Sequence, residues 1–317
     1  MQTSHKLTRI FVALFTLIVL SMAAMAQTDI NVSDQKAGSV LVYPYYNSNS
    51  QIKADTRITL SNLSATQTVA VHLFFIDKNC SQADTFACLT PNASIAMKAS
   101  EFDPEQLGWI LAVAVNRTGI PYNPNTLIGN AFVSDGDYVG NYGAEAFRDI
   151  TDIRDEGNMV ASFAIQAPTA FAIEIQSPLD ATGQKIVTVG LRGDIVNAQT
   201  RGAAQRGTGV VYNGNEKPFG SFSPFLNGGC RAEAIISATS PRVPLGLSNL
   251  IPSGQVGTLR FNVGTTDNNG VVNGGAVGLL MTPKNNKWSG IRTLHKTAEV
   301  KSAIAIPSFL PGCVGVN

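Results

Sequence analysis

The residues able to do chemistry in this 317-residue chain are few and scattered. Nucleophilic hydrolysis needs a Ser or Cys beside a base, most often a histidine. Past the first ten residues the histidines are His72 and His295. His72 stands between Val71 and Leu73 in an apolar run, where a core role is expected, and His295, in GIRTLHKT, has no G-x-S-x-G elbow to serve. The carboxylates form three sets: Glu101 with Asp103, Asp135 with Asp137, and Asp149, Asp152, Asp155 and Glu156. Glycoside hydrolysis needs two acids facing each other about 5 to 9.5 Å apart, and each set lies in a turn-like, solvated stretch. Calcium takes six to eight oxygens, mostly from loops. Asp135, Asp137 and Asp267 have the right chemistry but complete neither an EF-hand nor a nonapeptide repeat, so they are weak candidate ligands. Neither a GxxxxGK[ST] loop nor a GxGxxG turn between strand and helix is present, and no cofactor is expected.

The four cysteines, Cys80, Cys88, Cys230 and Cys313, permit three pairings into two disulfides. Cys80 and Cys88 bracket the polar segment SQADTFA between two strand-like runs. A local bridge across a hairpin loop is the economical pairing, leaving Cys230 with Cys313. Without a C-x2-C pair, a thiol metal site is not expected.

The elements that must position these residues are strands. In the first half GSVLVYPYY (38–46), DTRITLSN (55–62), TVAVHLFFID (68–77), NASIAMKA (92–99) and GWILAVAVN (108–116) are β-branched and aromatic runs separated by Asn, Ser, Gly and Pro. VAVHLFFI is apolar on both faces and should be central, whereas TRITL alternates and should be half buried. AEAFRDI reads as a short helix inside a linker over 136–157. The second half repeats the pattern at 158–166, 170–177, 184–191, 232–239, 256–263 and 275–282, interrupted by a Gly-rich stretch at 192–230 that reads as one long loop.

The chain opens with Lys6 and Arg9, an apolar run from Ile10 to Leu20, and Ala24-Met25-Ala26, the order of a secretory signal peptide cleaved after residue 26. Its eleven apolar residues are too few to span a bilayer, which needs about 20. The protein is therefore expected to be secreted or held at the cell surface, with the periplasm as the alternative, and without a transmembrane span. Removing Lys6 and Arg9 takes the balance from +1 to −1. That sum hides a split, because residues 27–156 hold 8 Lys+Arg against 15 Asp+Glu, or −7, and residues 157–317 hold 13 against 7, or +6. A near-neutral chain with 14% charged residues and 44% hydrophobic residues is neither disordered nor a basic nucleic-acid binder.

The series PYY, then TRITLSN, VAVHLFFID and LTPNASIAM, over about residues 38–133, resembles exported bacterial proteins with an immunoglobulin-like β-sandwich. That resemblance implies export and sandwich topology and brings no activity with it. The expected architecture is all-β: a signal peptide (1–26), an N-terminal β-sandwich (37–135), the linker (136–157) and a C-terminal β-sandwich (158–317). The expected role is non-enzymatic adhesion, matrix or ligand binding, with an extracellular macromolecule or glycan as partner. Its binding residues would be the aromatics Tyr43, Tyr45, Tyr46, Tyr212, Phe219, Phe222 and Phe225. The alternatives are a secreted polysaccharide hydrolase using the loop acids around 135–155, and self-assembly through the oppositely charged halves.

Overall fold

The computed structural model describes residues 32–196, 206–222, 231–236, 247–264, 274–284, 286 and 288–316. The β-branched and aromatic runs form strands because their side chains pack on a pleated surface, and Asn, Gly and Pro clusters end them. In the first half these are β1 (Val32–Ser33), β2 (Val40–Asn47), β3 (Asp55–Asn62), β4 (Val69–Asp77) and β5 (Gln82–Leu89), then β6 (Ser94–Lys98), β7 (Leu107–Val115), β8 (Leu127–Asp135), β9 (Tyr138–Gly143) and β10 (Glu145–Phe147). The second half holds β11 (Thr151–Gly157), β12 (Val160–Gln176), β13 (Lys185–Gly190), β14 (Gly193–Asp194), β15 (Arg206–Tyr212) and β16 (Pro218–Phe222). There follow β17 (Ala232–Ile235), one helical turn at Leu247–Leu250, β18 (Val256–Gly264), β19 (Ala276–Thr282), β20 (Gly290–Thr293) and β21 (His295–Pro307). The protein is all-β.

Among the described residues four sheets result, and each draws on one half of the chain. Sheet I has the order β1-β10-β2-β7-β4-β5 and sheet II the order β6-β3-β8-β9. Sheet III runs β17-β13-β19-β20, and sheet IV runs β14-β21-β12-β18-β15-β16 with β11 also paired to β12. Sheets I and II bury Leu41, Leu73 and Phe75 against Ile58, Leu60 and Val133. Sheets IV and III bury Phe171, Ile173, Leu259 and Phe261 against Ile186 and Leu280.

The halves nevertheless share a core. Residues alternate faces along β13 and β19. Val187, Leu279 and Met281 join the first-half core beside Tyr43 and Tyr45, while Ile186 and Leu280 face the second-half core. Sheet III is thus covered on both sides, which is why every residue of β13 and β19 is buried. β4, which lies between β7 and β5 in sheet I, is likewise buried at all nine of its residues.

Three expectations are corrected. AEAFRDI is not a helix within a linker: β10 runs between β1 and β2, with Glu145 opposite Val42 and Phe147 opposite Val40. A segment this short cannot repay helix nucleation, whereas two neighbouring strands satisfy its backbone. The stretch 192–230 is not one loop, since its described residues include β14 and the β15–β16 hairpin. The disulfides pair differently as well. SQADTFA is itself strand β5, so Cys80 and Cys88 are separated by about 25 Å of extended chain, far beyond the Cα distance a disulfide allows. Cys88 instead bonds Cys313, with their Cα atoms 5.6 Å apart and 225 residues between them. That pairing excludes Cys230–Cys313 too. Cys80 is also disulfide-bonded; Cys230 lies outside the described residues.

Candidate functional site

The outer face of sheet IV carries an open groove of about 590 Å³. It is made by strand alternation. Leu259, Phe261 and Val263 of β18 point into the core, so Arg260 and Asn262 point out and are exposed. Ala172 and Val210 lie opposite Arg260 on β12 and β15. Ala170 lies opposite Asn262, and these small side chains leave the floor low. Tyr212 stands at the β15 side, with the Arg260 guanidinium 5.5 Å from its ring centre. At the β21 side, the pairing of β12 with β21 shifts register between Ala170 and Phe171, which inserts Thr297 as a bulge. The bulge turns Lys296 inward and Thr297 into the groove, the re-aiming that bulges commonly perform. His295 lies opposite Ala172 on the same outer face and is exposed.

Of the aromatic residues expected to bind, the structure brings Tyr212 to this groove. Phe219 and Phe222 lie on the neighbouring β16, opposite Val211 and Gly209; Phe225 lies outside the described residues. Tyr43, Tyr45 and Tyr46 are not surface residues: they are 0%, 1% and 0% exposed. β2 is covered by sheet II and also by sheet III, and each tyrosine finds an internal partner for its hydroxyl. Tyr43 donates to the Thr59 carbonyl at 2.8 Å, Tyr45 to Asp135, and Tyr46 to Asp103. Burial pushes all three hydroxyls well above the usual tyrosine range.

The Tyr45 surroundings form a polar seam between the halves. Lys185 Nζ lies 4.9 Å from the ring centre of Tyr45 and 4.3 Å from that of Tyr138. The Arg231 guanidinium lies 5.0 Å from the Tyr45 ring centre and pairs with Glu233 at 2.7 Å. Desolvation lowers the Lys185 ammonium below its ordinary range, partly opposed by Glu233. Tyr138, pushed up to about 12 chiefly by burial, donates to the Gly183 carbonyl at 2.7 Å.

The candidate carboxylates do not converge. Asp135 is tied to Tyr45, Asp103 to Tyr46, Asp149 to Asn125, Asp152 to Lys301 and Glu156 to Ser162. Asp137 is exposed, and Asp267 lies outside the described residues. Among the described residues no three His, Cys, Asp or Glu side chains are placed to hold a metal ion. His72 is wholly buried, its Nε2 2.8 Å from Asp84 and its ring stacked 4.0 Å from Phe86. Desolvation holds its pKa below the usual histidine value.

Sequence reasoning missed Arg260, Asn262 and Thr297. The signal for the first two was present in VGTLRFNV, where polar residues alternate with Leu259, Phe261 and Val263. Thr297 depends on a bulge, which no local pattern marks.

No family model and no curated protein matches the chain. Among solved structures it is similar to the PBSX exported protein XepA, at 10% identity over 72% of this chain and 82% of that one, with a TM-score of 0.22. It is also similar to a protein of Parabacteroides distasonis described as secreted, at 9% identity over 75% and 74% of the two chains, with a TM-score of 0.17. Both superpose too loosely for the likeness to bear on fold or function. No helix among the described residues is long and apolar enough to cross a membrane.

Proposed function

We propose that this is an exported, non-enzymatic protein made of two immunoglobulin-like sandwiches, sheets I with II and IV with III, which binds an extended glycan in the sheet IV groove. The observation that carries the reading is the groove itself: an open face with an aromatic wall at Tyr212, a low Ala170 and Ala172 floor, and hydrogen-bonding groups at Asn262 and Thr297. Sugar rings present one apolar face and a rim of hydroxyls, so a half-buried ring beside amide and hydroxyl groups matches them. Export is supported by the Cys88–Cys313 bond and by a disulfide at Cys80, since such bonds persist in oxidising compartments. A hydrolase is the weaker reading, because none of the described residues that line the groove is a carboxylate.

A panel of soluble oligosaccharides titrated calorimetrically into the full chain tests the proposal. Binding of at least one glycan is expected, with Tyr212→Ala weakening it about tenfold, or 1.4 kcal/mol, while the melting temperature is kept. Absence of glycan binding, or binding untouched by Tyr212→Ala, would overturn it.

A further inference from the structure

We infer that the sheet IV groove selects an acidic oligosaccharide, with Arg260 as the group that pairs its carboxylate or sulfate. The inference rests on the glycan-binding reading and adds the charge of the ligand.

Among the described residues that line the groove, Arg260 is the one with a charge. Its cross-strand neighbours, Ala172 and Val210, have nothing to offer a guanidinium. Four cations elsewhere in the second half are engaged: Lys296 with Glu145, Lys301 with Asp152, and Lys185 and Arg231 with Glu233. Glu174, the next outward-facing acid along β12, is engaged by Arg292, whose Nη1 lies 3.8 Å from its carboxylate and whose Nη2 donates to its carbonyl at 3.0 Å. Arg260 has no ion pair among the described residues. It is instead held against the Tyr212 ring.

An exposed cation in a groove with no counter-charge attracts anions, and a planar guanidinium meets carboxylate and sulfate oxygens through two parallel hydrogen bonds. The stacked ring restrains the side chain before the ligand arrives, which lowers the entropy lost on pairing. From Thr297 to Tyr212 the groove crosses β21, β12, β18 and β15, three inter-strand steps of about 4.8 Å, or roughly 14 Å. That length suits a short run of sugars rather than one ring. Single-stranded nucleic acid fits less well, since it calls for several stacking aromatics along a basic track, and among the described lining residues Tyr212 is the one aromatic side chain on the outer face and Arg260 the one cation.

The test titrates the full chain with oligogalacturonate, a sulfated galactan oligosaccharide and neutral cellohexaose. Both acidic ligands are expected to bind at least about tenfold more tightly than the neutral one. Arg260→Gln should bring them down to the neutral level. Arg260→Lys should restore part of the difference, because the charge returns without the planar fork. Binding confined to the uronate or to the sulfated chain supports the inference and identifies the anion. Equal binding of neutral and acidic ligands, or acidic binding unchanged in Arg260→Gln, overturns the acid selectivity and leaves the glycan reading standing. If none of the three binds, both fall.

Discussion

Glu145 and Lys296 meet at 2.7 Å inside the protein, with the carboxylate fully buried and the ammonium side chain 9% exposed. Glu145 comes from β10 in sheet I and Lys296 from β21 in sheet IV, so the pair joins the two halves. The acidic and basic halves read from the sequence spend part of their opposite charge on each other, here and at Asp152–Lys301.

This pair makes stability depend on pH. Burial raises the Glu145 carboxyl to about 7 against an ordinary 4.5, with Lys296 opposing the rise. The folded state therefore holds the proton more tightly than the unfolded chain does. Glu145's contribution is fullest below about pH 4.5 and is lost as pH climbs through about 7. Melting curves from pH 4 to 8 should show the native protein losing several degrees relative to Glu145→Gln across that window, at roughly 2 to 4 °C for each kcal/mol. Parallel curves would refute it.

The Cys88–Cys313 bond should dominate the response to reductant. Closing a loop of 225 residues stabilises a fold by about 5 kcal/mol in the chain-entropy model. Peptide mapping without reduction is expected to recover Cys88 and Cys313 in one fragment. Cys313→Ser should lower the denaturant midpoint sharply. A fragment linking Cys80 to Cys88 would contradict the assignment.

Gly129 permits the contact that holds Tyr43. A Cβ at this position would lie 2.0 Å from the Tyr43 hydroxyl and 2.8 Å from the Thr59 carbonyl it bonds. Gly129→Ala must therefore displace the ring, and overpacking of this kind costs about 1 to 3 kcal/mol. Tyr43→Phe, which keeps the ring and loses one hydrogen bond, should cost less, about 1 kcal/mol. Urea unfolding of the two variants gives the order; a milder Gly129→Ala would count against the clash.

Much of the architecture was legible where one local pattern decides it. The largely apolar TVAVHLFFID had to be a strand covered on both faces, and TRITL a half-buried one, because side chains alternate with period two. The Tyr43-Pro44-Tyr45-Tyr46 segment failed for a physical reason: whether an aromatic strand faces water or a third layer depends on sheet III, which lies about 140 residues further along. β5 and β10 were missed because their polar residues are satisfied by neighbours that only tertiary structure supplies. The groove was half legible. Tyr212 stood out as an aromatic in a Gly-rich stretch, while Arg260 was passed over, because its place beside that ring depends on the pairing of β15 with β18.

The Cys88–Cys313 bond also sets an order of events. A chain is made from its N-terminus, so Cys88 and the strands around it emerge 225 residues before the thiol that Cys88 must find. During that interval Cys80, eight residues away, is the nearest competitor in sequence, and the nascent chain is open to a wrong local bridge. Once β5 has extended and paired with β4, that bridge is out of reach. The β4–β5 pairing thus does more than complete a sheet edge, because the extended strand that carries Cys88 keeps it from its sequence neighbour and leaves it for Cys313.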